Sequence, residues 1–333
     1  MKIDVMEYEK KYSFELEPIT QLCGQNIKKK TYILESLRRY FGTYKYKEEL
    51  NKWRDNIKVD GQLMGRKFFT VLSISDISDV MVMITWSKQS LMTEYVKQLM
   101  QKYDWQIHLR KLHEEVEKMV HIINTDVNRL GNVGLTYTEA EVWGMVQKTE
   151  IASCDQMLLE DMENIELFNI FLNLLEEVLA VNPRKMLLLL ENIDHWMTRK
   201  EYADVIKKMQ NIVKKYNVYF ILTTSLDGYV ECDKELCSGI SIFCDVDFQM
   251  PQFEKMADFV DNNYPCYKNI SEHQMQNDLK NIIQKIGKQG SLHSIEEMVI
   301  CKLINRTLML EEKGICSISE PELAFLKSKN VLK

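Results

Sequence analysis

The feature that most constrains the fold is a run of five wholly apolar side chains, residues 186–190, directly before Glu191. A run this short and this apolar is typical of a strand buried on both faces of a parallel sheet. It is followed by a helical pattern over residues 198–216 and by a second apolar, β-branched run at residues 218–224. This alternation of strand, helix and strand predicts an α/β domain with a parallel sheet.

Other segments of the chain also predict strands. Residues 3–16 alternate loosely between apolar and polar side chains, as short strands do. Three further runs have the β-branched and aromatic content of strands, namely residues 19–23, 68–74 and 241–248. After the first of these runs, Leu34, Leu37 and Phe41 recur at helical spacing, and Gly42 is expected to end that helix.

The rest of the chain is predicted to be helical. Residues 76–130 carry a helical pattern, residues 155–181 form a second long helix, and residues from 252 onward return to helical patterns without a strong strand. The first region contains an apolar seam that one helix can present to a partner helix, formed by Leu109, Leu112, Val116, Met119 and Ile123. We therefore divide the chain into an α/β core (1–75 and 183–250), a helical insertion (76–182) and a helical C-terminal extension (251–333).

Composition excludes several classes of protein. The 333 residues carry 43 basic and 49 acidic side chains, a net charge of −6, so nucleic-acid binding would need a local basic patch. The N-terminus lacks an apolar segment of the signal-peptide kind, and no apolar run approaches the roughly 20 residues that span a bilayer. Eight scattered cysteines without a CxxC pair favour reduced, buried thiols over a disulfide scaffold or a zinc site. We expect a cytoplasmic protein without membrane contact.

A basic patch is present in residues 28–67. This segment holds twelve basic and five acidic side chains, a local charge of +7, with tyrosines and Trp53 interleaved. The pattern is typical of a phosphate-binding surface, and a solvated basic loop is the alternative interpretation. We expect its first three lysines in a solvent-facing loop. The candidate DNA-contacting side chains are Lys28, Lys29, Lys30, Arg38, Arg39, Lys45, Lys47, Lys52 and Arg54.

The segment that follows residues 19–23 is similar to a P-loop but departs from its pattern. A P-loop reads GxxxxGK[ST], in which backbone N–H groups and the lysine hold phosphates and the hydroxyl holds magnesium. Gly24, Lys30 and Thr31 match that pattern, whereas Lys29 replaces the second glycine. A side chain at that position is expected to crowd the phosphates and to resist a positive φ. The sequence therefore predicts a degenerate P-loop.

The distal half of the α/β core departs from the NTPase pattern in the same way. Glu191 ends an apolar strand, as a metal-binding acid would, but the next residue is Asn192, which cannot act as a general base. The following strand ends in the polar residues 223–225. Two degraded elements in the correct order predict a P-loop NTPase-like fold without hydrolysis and without catalytic residues. A working ATPase of the recombination or transporter type and a generic α/β domain with coincidental lysines are the alternatives.

The order of these elements resembles the Csn2 family, the CRISPR-associated spacer-acquisition proteins of type II-A systems. The resemblance covers residues 1–250: an apolar strand leading into Gly24-Gln25-Asn26, a basic helical stretch, a long helical insertion, and residues 185–190 followed by a helix and a strand. The remaining residues look like the extension of the family's longer members. The resemblance implies a defunct P-loop fold in a homotetrameric ring whose central hole holds double-stranded DNA, threaded from its ends. It also implies partnership with the CRISPR integrase pair and the RNA-guided nuclease.

The resemblance further implies calcium binding by acids in the helical region. Thr136 and Thr138 stand where more acids would be expected, and Asp126, Glu139 and Glu141 offer too few oxygens for the six to eight that calcium prefers. We therefore expect no calcium, no other metal and no further cofactor. A protein-binding regulatory module without a DNA role is one more alternative.

Overall fold

A six-stranded mixed sheet lies at the centre of the computed structural model, which describes residues 1–42, 55–131, 133–139, 141–266, 270–287 and 294–310. In spatial order, with strands numbered along the chain, it comprises β5 (Thr70–Ile74), β6 (Met186–Glu191), β7 (Val218–Thr223), β3 (Ile19–Cys23), β8 (Ile240–Phe243) and β9 (Asp247–Gln249). The first five strands are parallel, and β9 runs antiparallel to β8. The predicted α/β class and parallel sheet are confirmed.

A small antiparallel sheet forms a separate layer at the N-terminus. Its strands lie in the order β2 (Lys10–Glu15), β1 (Lys2–Glu7) and β4 (Ile57–Val59). Ile3, Val5 and Phe14 are buried and face helix α1 (Ile27–Phe41), because alternate residues of a strand point to one face. The strands predicted from this alternation are confirmed, and α1 ends before Gly42 as expected.

The apolar run at residues 186–190 is buried on both faces of the central sheet. Leu188 and Leu190 pack in a cluster with helices α2 (Ile77–Ile84), α6 (Asn164–Val181) and α7 (Arg199–Lys215). Leu187 and Leu189 join the opposite cluster, which contains α1 and the small sheet. Each of the four leucines is at most 1% exposed. Burial from both sides explains why this strand tolerates no polar residue until its end at Glu191.

The helical insertion is divided more finely than its sequence pattern suggested. Residues 76–130 form three α-helices, α2, α3 (Leu91–Gln101) and α4 (Gln106–Val127). A short helix, α5 (Val142–Val146), follows, and α6 begins at Asn164 rather than near 155. The breaks are local, because the Asp76 side chain caps α2 and the Ser90 hydroxyl accepts a 3.1 Å hydrogen bond from the Thr93 amide at the start of α3. Within the described ranges, no helix is both long enough and apolar enough to cross a membrane.

The C-terminal extension packs directly on the central sheet. Its described helices are α8 (Phe253–Asn263), α9 (Glu272–Ile282) and α10 (Ile295–Thr307), in agreement with the predicted helical character. Met256, Leu279 and Ile300 from these helices share one buried cluster with Cys23 of β3 and Ile242 of β8. The extension therefore completes the hydrophobic core beside β3 and β8.

The prediction of one strand over residues 241–248 is wrong. This segment contains β8 and β9, which pair with each other in a tight antiparallel hairpin. At the turn, the Cys244 thiol donates a 2.9 Å hydrogen bond to the Val246 carbonyl oxygen, and Asp247 pairs with the Lys29 ammonium at 2.7 Å. A thiol and a lysine 218 positions away stabilise this turn, and neither is a turn signal in the local sequence.

Candidate functional site

The carboxyl ends of β3, β6 and β7 meet at one edge of the sheet, where a cavity of about 440 Å³ opens. Parallel strands place the residues that follow them at the same edge, which is where α/β proteins bind ligands. The structure thereby brings together Lys30, Thr31, Glu191 and Asn192, which are far apart in the sequence. The glycine loop, defined as residues 24–31, forms one wall of this cavity.

Gly24 allows the glycine loop to touch the neighbouring strand. Its φ is +87°, and a Cβ atom built on it would lie 2.4 Å from the Phe243 carbonyl oxygen. A real Cβ atom cannot approach a backbone oxygen so closely, so only glycine fits here. The Gly24 amide donates a 3.3 Å hydrogen bond to Oε1 of Gln284, a buried residue that follows α9. Gly24 therefore allows the glycine loop to contact Phe243 of β8 and Gln284 within the protein.

Further amides of the glycine loop have partners within the protein. The Asn26 amide donates to the Phe243 carbonyl oxygen at 3.0 Å, and the Lys29 amide donates to Oδ1 of Asn26 at 3.1 Å. The Lys30 amide donates to the Asn26 carbonyl oxygen at 3.2 Å. A phosphate-binding loop needs such amides directed at the ligand. Here the Asn26 side chain caps α1 and accepts the hydrogen bond of the Lys29 amide.

Lys30 lies inside the fold, which corrects the expectation of a solvent-facing loop. It belongs to α1 and is 2% exposed, and its Nζ donates a 2.6 Å hydrogen bond to the Thr224 carbonyl oxygen. Burial lowers the pKa of Lys30, and the nearby Cys23 and Asp194 oppose that shift. The side chain ties the first turns of α1 to the end of β7.

The neighbouring lysines have different surroundings. Lys29 is half-buried, and its Nζ lies 2.7 Å from Oδ1 of Asp247 and 3.1 Å from the Cys244 carbonyl oxygen. This lysine therefore bonds to the hairpin of β8 and β9. Lys28 is exposed on the first turn of α1. Of these three lysines, Lys28 alone presents its side chain fully to solvent.

The remaining candidate cations lie at the C-terminal end of α1 and beyond it. Arg38 and Arg39 both pair with Glu35, three and four residues earlier on the same helix. Lys28, Glu35 and Arg39 share one face of α1, because they are spaced by seven and four residues. The remaining four candidates lie outside the described residues, namely Lys45, Lys47, Lys52 and Arg54.

The opposite wall of the cavity is formed by the ends of β6 and β7. Asn192 adopts a left-handed conformation with φ of +51°, and its amide donates to the Thr223 carbonyl oxygen at 3.1 Å. Asp194 is buried and accepts hydrogen bonds from the amide and the hydroxyl of Ser225. The sequence pattern missed this aspartate, although an acid three residues after Glu191 was a usable signal. Nothing in the local sequence marked Gln284.

No metal centre is formed by the described residues. Within the described ranges, His, Cys, Asp and Glu side chains form no group of three or more that could hold an ion. Asp126 is exposed and pairs with Arg129 at 3.2 Å. The segment that carries Glu139 follows Leu135, whose backbone makes hydrogen bonds of 2.7 and 2.8 Å with the Asn124 side chain.

Helix α4 presents its apolar seam to solvent rather than to the described core. Leu112, Met119 and Ile123 are 44%, 60% and 49% exposed, and Leu109 and Val116 are half-buried. Among the described residues, none of the 22 positions of α4 is buried. An exposed apolar stripe of this length is typical of a surface that contacts another polypeptide.

Comparison with known proteins identifies the fold and the family. No curated protein matches the chain. The crystal structure of Stu0660 of Streptococcus thermophilus has a TM-score of 0.84 and 24% sequence identity, covering 98% of this chain and 99% of that chain, and therefore has the same fold. The structure of cbiO1 from Clostridium perfringens, described as part of the ABC transporter complex cbiONQ, has a TM-score of 0.38 and 12% sequence identity, covering 79% of this chain and 95% of that chain. The family model "CRISPR-associated protein Csn2 subfamily St" matches residues 5–328, so the chain belongs to the St subfamily of the CRISPR-associated Csn2 proteins.

Proposed function

We propose that this protein binds double-stranded DNA without catalysis, as a ring-shaped homo-oligomer that acts when new CRISPR spacers are captured. Membership of the Csn2 family supports the role in a CRISPR system. By the same family resemblance, the CRISPR integrase pair and the RNA-guided nuclease are its proposed protein partners. The observation that carries the non-catalytic part of the proposal is that the amides of Gly24, Asn26 and Lys29 donate hydrogen bonds to oxygens of the protein itself.

The absence of hydrolysis is proposed from two features of the cavity. The amides of Gly24, Asn26 and Lys29 and the ammonium of Lys30 all donate to protein oxygens. Binding a triphosphate would require breaking several of these hydrogen bonds, each contributing about 1 kcal/mol and more for the charged donor. Asn192 also replaces the acid that would activate water. These features argue against the alternative of a working P-loop ATPase.

The proposed DNA surface is the outer face of α1 together with the segment that follows it. Lys28 and Arg39 share this face and are about 16 Å apart along the axis, at roughly 1.5 Å per residue. The basic residues of segment 43–54 continue from the end of this helix in the sequence. Because Lys30 is buried and Lys29 is half-buried and bonded to the hairpin of β8 and β9, we exclude both from the contact set. Contacts of this kind bind phosphates and read no bases.

Self-association is proposed to use the exposed seam of α4. Two copies of this seam would bury Leu112, Met119 and Ile123 against each other, as apolar residues at this spacing do in paired helices. A closed ring of such copies must be threaded from a DNA end. Linear duplex should therefore be retained, and a relaxed circle of the same sequence should not.

The salt dependence of DNA binding tests the proposed surface. One variant replaces Lys28, Lys45, Lys47 and Lys52 with alanine, and the matched control replaces four exposed lysines of α7, which lies on the opposite face of the sheet: Lys200, Lys207, Lys214 and Lys215. Each neutralised phosphate contributes about −0.9 to the slope of log K against log salt. We expect the first variant to flatten this slope by about one unit per lost contact and the control to leave it unchanged.

Three outcomes would contradict the proposal in different ways. Equal slopes for wild type and both variants would remove α1 from the DNA surface. Binding of no DNA at all would favour the protein-binding regulatory module. ATP hydrolysis above background that disappears on replacing Lys30 would favour the working ATPase.

A further inference from the structure

The cavity at the edge of the sheet is shaped for a ligand of another kind. Its volume of about 440 Å³ lies in the range of small-molecule sites. A second cavity of about 280 Å³ adjoins it, and Thr31 and Glu191 line both. Because the amides of Gly24, Asn26 and Lys29 donate to oxygens of the protein itself, the glycine loop offers a phosphate fewer donors than a P-loop does. The question is which chemistry the remaining groups recognise.

The charged groups of the cavity favour a cation. The lysine that lines the cavity is Lys30, and its ammonium already donates a hydrogen bond to the Thr224 carbonyl oxygen. Glu191 is half-buried, and its carboxylate has no hydrogen-bond or ion-pair partner within the described ranges. The second carboxylate that lines the cavity belongs to Asp227, and it pairs with the Lys285 ammonium at 3.0 Å. A partly desolvated carboxylate binds an ammonium or guanidinium group more strongly than water-exposed carboxylates do.

The rim of the cavity favours an apolar stem on that cation. Ile27 and Leu226 line the cavity and are 49% and 42% exposed. Ligand sites commonly combine such apolar walls with a few polar groups that fix orientation. Asn192 and His195 supply those polar groups next to Glu191. The lining thus includes the Glu191 carboxylate, the polar side chains of Asn192 and His195 beside it, and an apolar mouth.

We infer that this cavity binds a small organic cation, an ammonium or guanidinium group carried on an apolar stem, with the Glu191 carboxylate as its charge partner. The 440 Å³ cavity is distinct from the proposed DNA surface, because Lys28 and Arg39 do not line it, whereas Arg38 lines the adjoining smaller cavity. The chemistry applies equally to a free amine and to an arginine or lysine side chain of a bound peptide.

Calorimetric titration of the full-length protein with butylguanidine and with butylurea, its uncharged analogue of the same shape, tests the inference. We expect saturable binding of butylguanidine at millimolar concentration or below and no binding of butylurea. Glu191→Gln should weaken butylguanidine binding about tenfold or more, because a charge-assisted hydrogen bond is lost. Glu177→Gln removes the same charge from the exposed face of α6 and should leave binding unchanged.

A second variant keeps the test decisive if Glu191→Gln disturbs folding. Leu226→Lys places an ammonium at the mouth of the cavity, on an exposed side chain, and is expected to abolish butylguanidine binding. Titration with a short arginine-containing peptide then separates a peptide-borne cation from a free amine. The inference would be overturned by equal affinities for butylguanidine and butylurea, by an unchanged affinity in both variants, or by Glu191-dependent binding of magnesium or ATP without butylguanidine binding.

Discussion

The Lys30 ammonium lies 2.6 Å from the backbone carbonyl oxygen of Thr224, although the sequence places this lysine where a P-loop would bind phosphate. The contact joins the start of α1 to the end of β7, across 194 residues of sequence. Gln284 reinforces the same point, because its amide group donates to the Thr224 hydroxyl and accepts from the Gly24 amide. Lys30 and Gln284 therefore stabilise the point at which the ends of β3 and β7 meet the C-terminal extension.

Replacing Lys30 with methionine is expected to destabilise the fold. The Thr224 carbonyl oxygen would lose a charged donor in a buried setting, which costs about 1–3 kcal/mol of unfolding free energy. Urea denaturation measures this loss, and Lys28→Met, on an exposed side chain of the same helix, should change stability by less than about 0.5 kcal/mol. Equal stability of both variants would mean that the Lys30 contact contributes nothing.

A comparison of two glycines isolates the close contact between the glycine loop and β8. Gly24 and Gly61 both have positive φ, +87° and +79°, but a Cβ at Gly61 meets nothing within 4 Å. Gly61→Ala should therefore cost about 1–2 kcal/mol from its backbone conformation alone. Gly24→Ala should cost roughly 1–3 kcal/mol more, because the strand that carries Phe243 must move. Thermal unfolding of both variants checks the difference, and similar midpoints would contradict the contact.

Charge placed on the seam of α4 is expected to reduce the oligomer. Met119 lies in the exposed seam and His121 lies on nearly the opposite side of the helix, since two residues advance about 200° around the axis. Met119→Glu should shift the protein to a smaller species at micromolar concentration, because burying an unpaired carboxylate is costly. His121→Glu should leave the mass unchanged. Light scattering after size-exclusion chromatography distinguishes them, and a monomeric wild type would contradict the proposed ring.

Local patterns in the sequence are sufficient to predict those helices and strands whose ends are determined by nearby residues. The run at residues 19–23 coincides with β3, and α1 ends at Phe41, directly before the predicted stop at Gly42. Both outcomes depend on side-chain burial and on glycine, which act within a few residues. The capping groups Asp76 and Ser90 were likewise present in the sequence, and reading them would have separated α2 from α3.

Local sequence patterns cannot predict contacts between segments that are distant in the sequence. Lysine is seldom buried, so the sequence favoured an exposed Lys30, and its partner is a backbone oxygen that no side-chain motif reports. Next to the turn between β8 and β9, Asp247 pairs with Lys29, and the two residues are near each other because β3 and β8 are neighbours in the sheet. Gln284 enters the glycine loop from the C-terminal extension. Each of these contacts follows from the tertiary fold, and each changes what the candidate site can bind.

The ion pair between Glu94 and Arg184 gives a pH-dependent prediction for the insertion. Arg184, just before β6, donates hydrogen bonds of 2.7 and 2.8 Å to the two carboxylate oxygens of Glu94 on α3. Burial opposes ionisation of Glu94, but the hydrogen bonds and charge of Arg184 outweigh it and hold the pKa of Glu94 below its usual 4.5. A carboxyl group with a lowered pKa in the folded state stabilises the protein above its unfolded pKa, and this contribution is lost as the pH falls through the folded value.

Arg184→Met should therefore destabilise the protein by about 1 kcal/mol at pH 7, the upper range for a partly exposed pair with bidentate geometry. The difference between wild type and variant should shrink as the pH falls from about 4.5 toward the lowered folded pKa, because the wild type then loses the same ion pair. Urea denaturation across this range measures both curves. Lys118→Met, which breaks an exposed pair with Glu115 on α4, serves as the control and should have little effect at any pH. A destabilisation by Arg184→Met that stays constant down to pH 3 would assign its effect to packing of the arginine side chain rather than to the charge of Glu94.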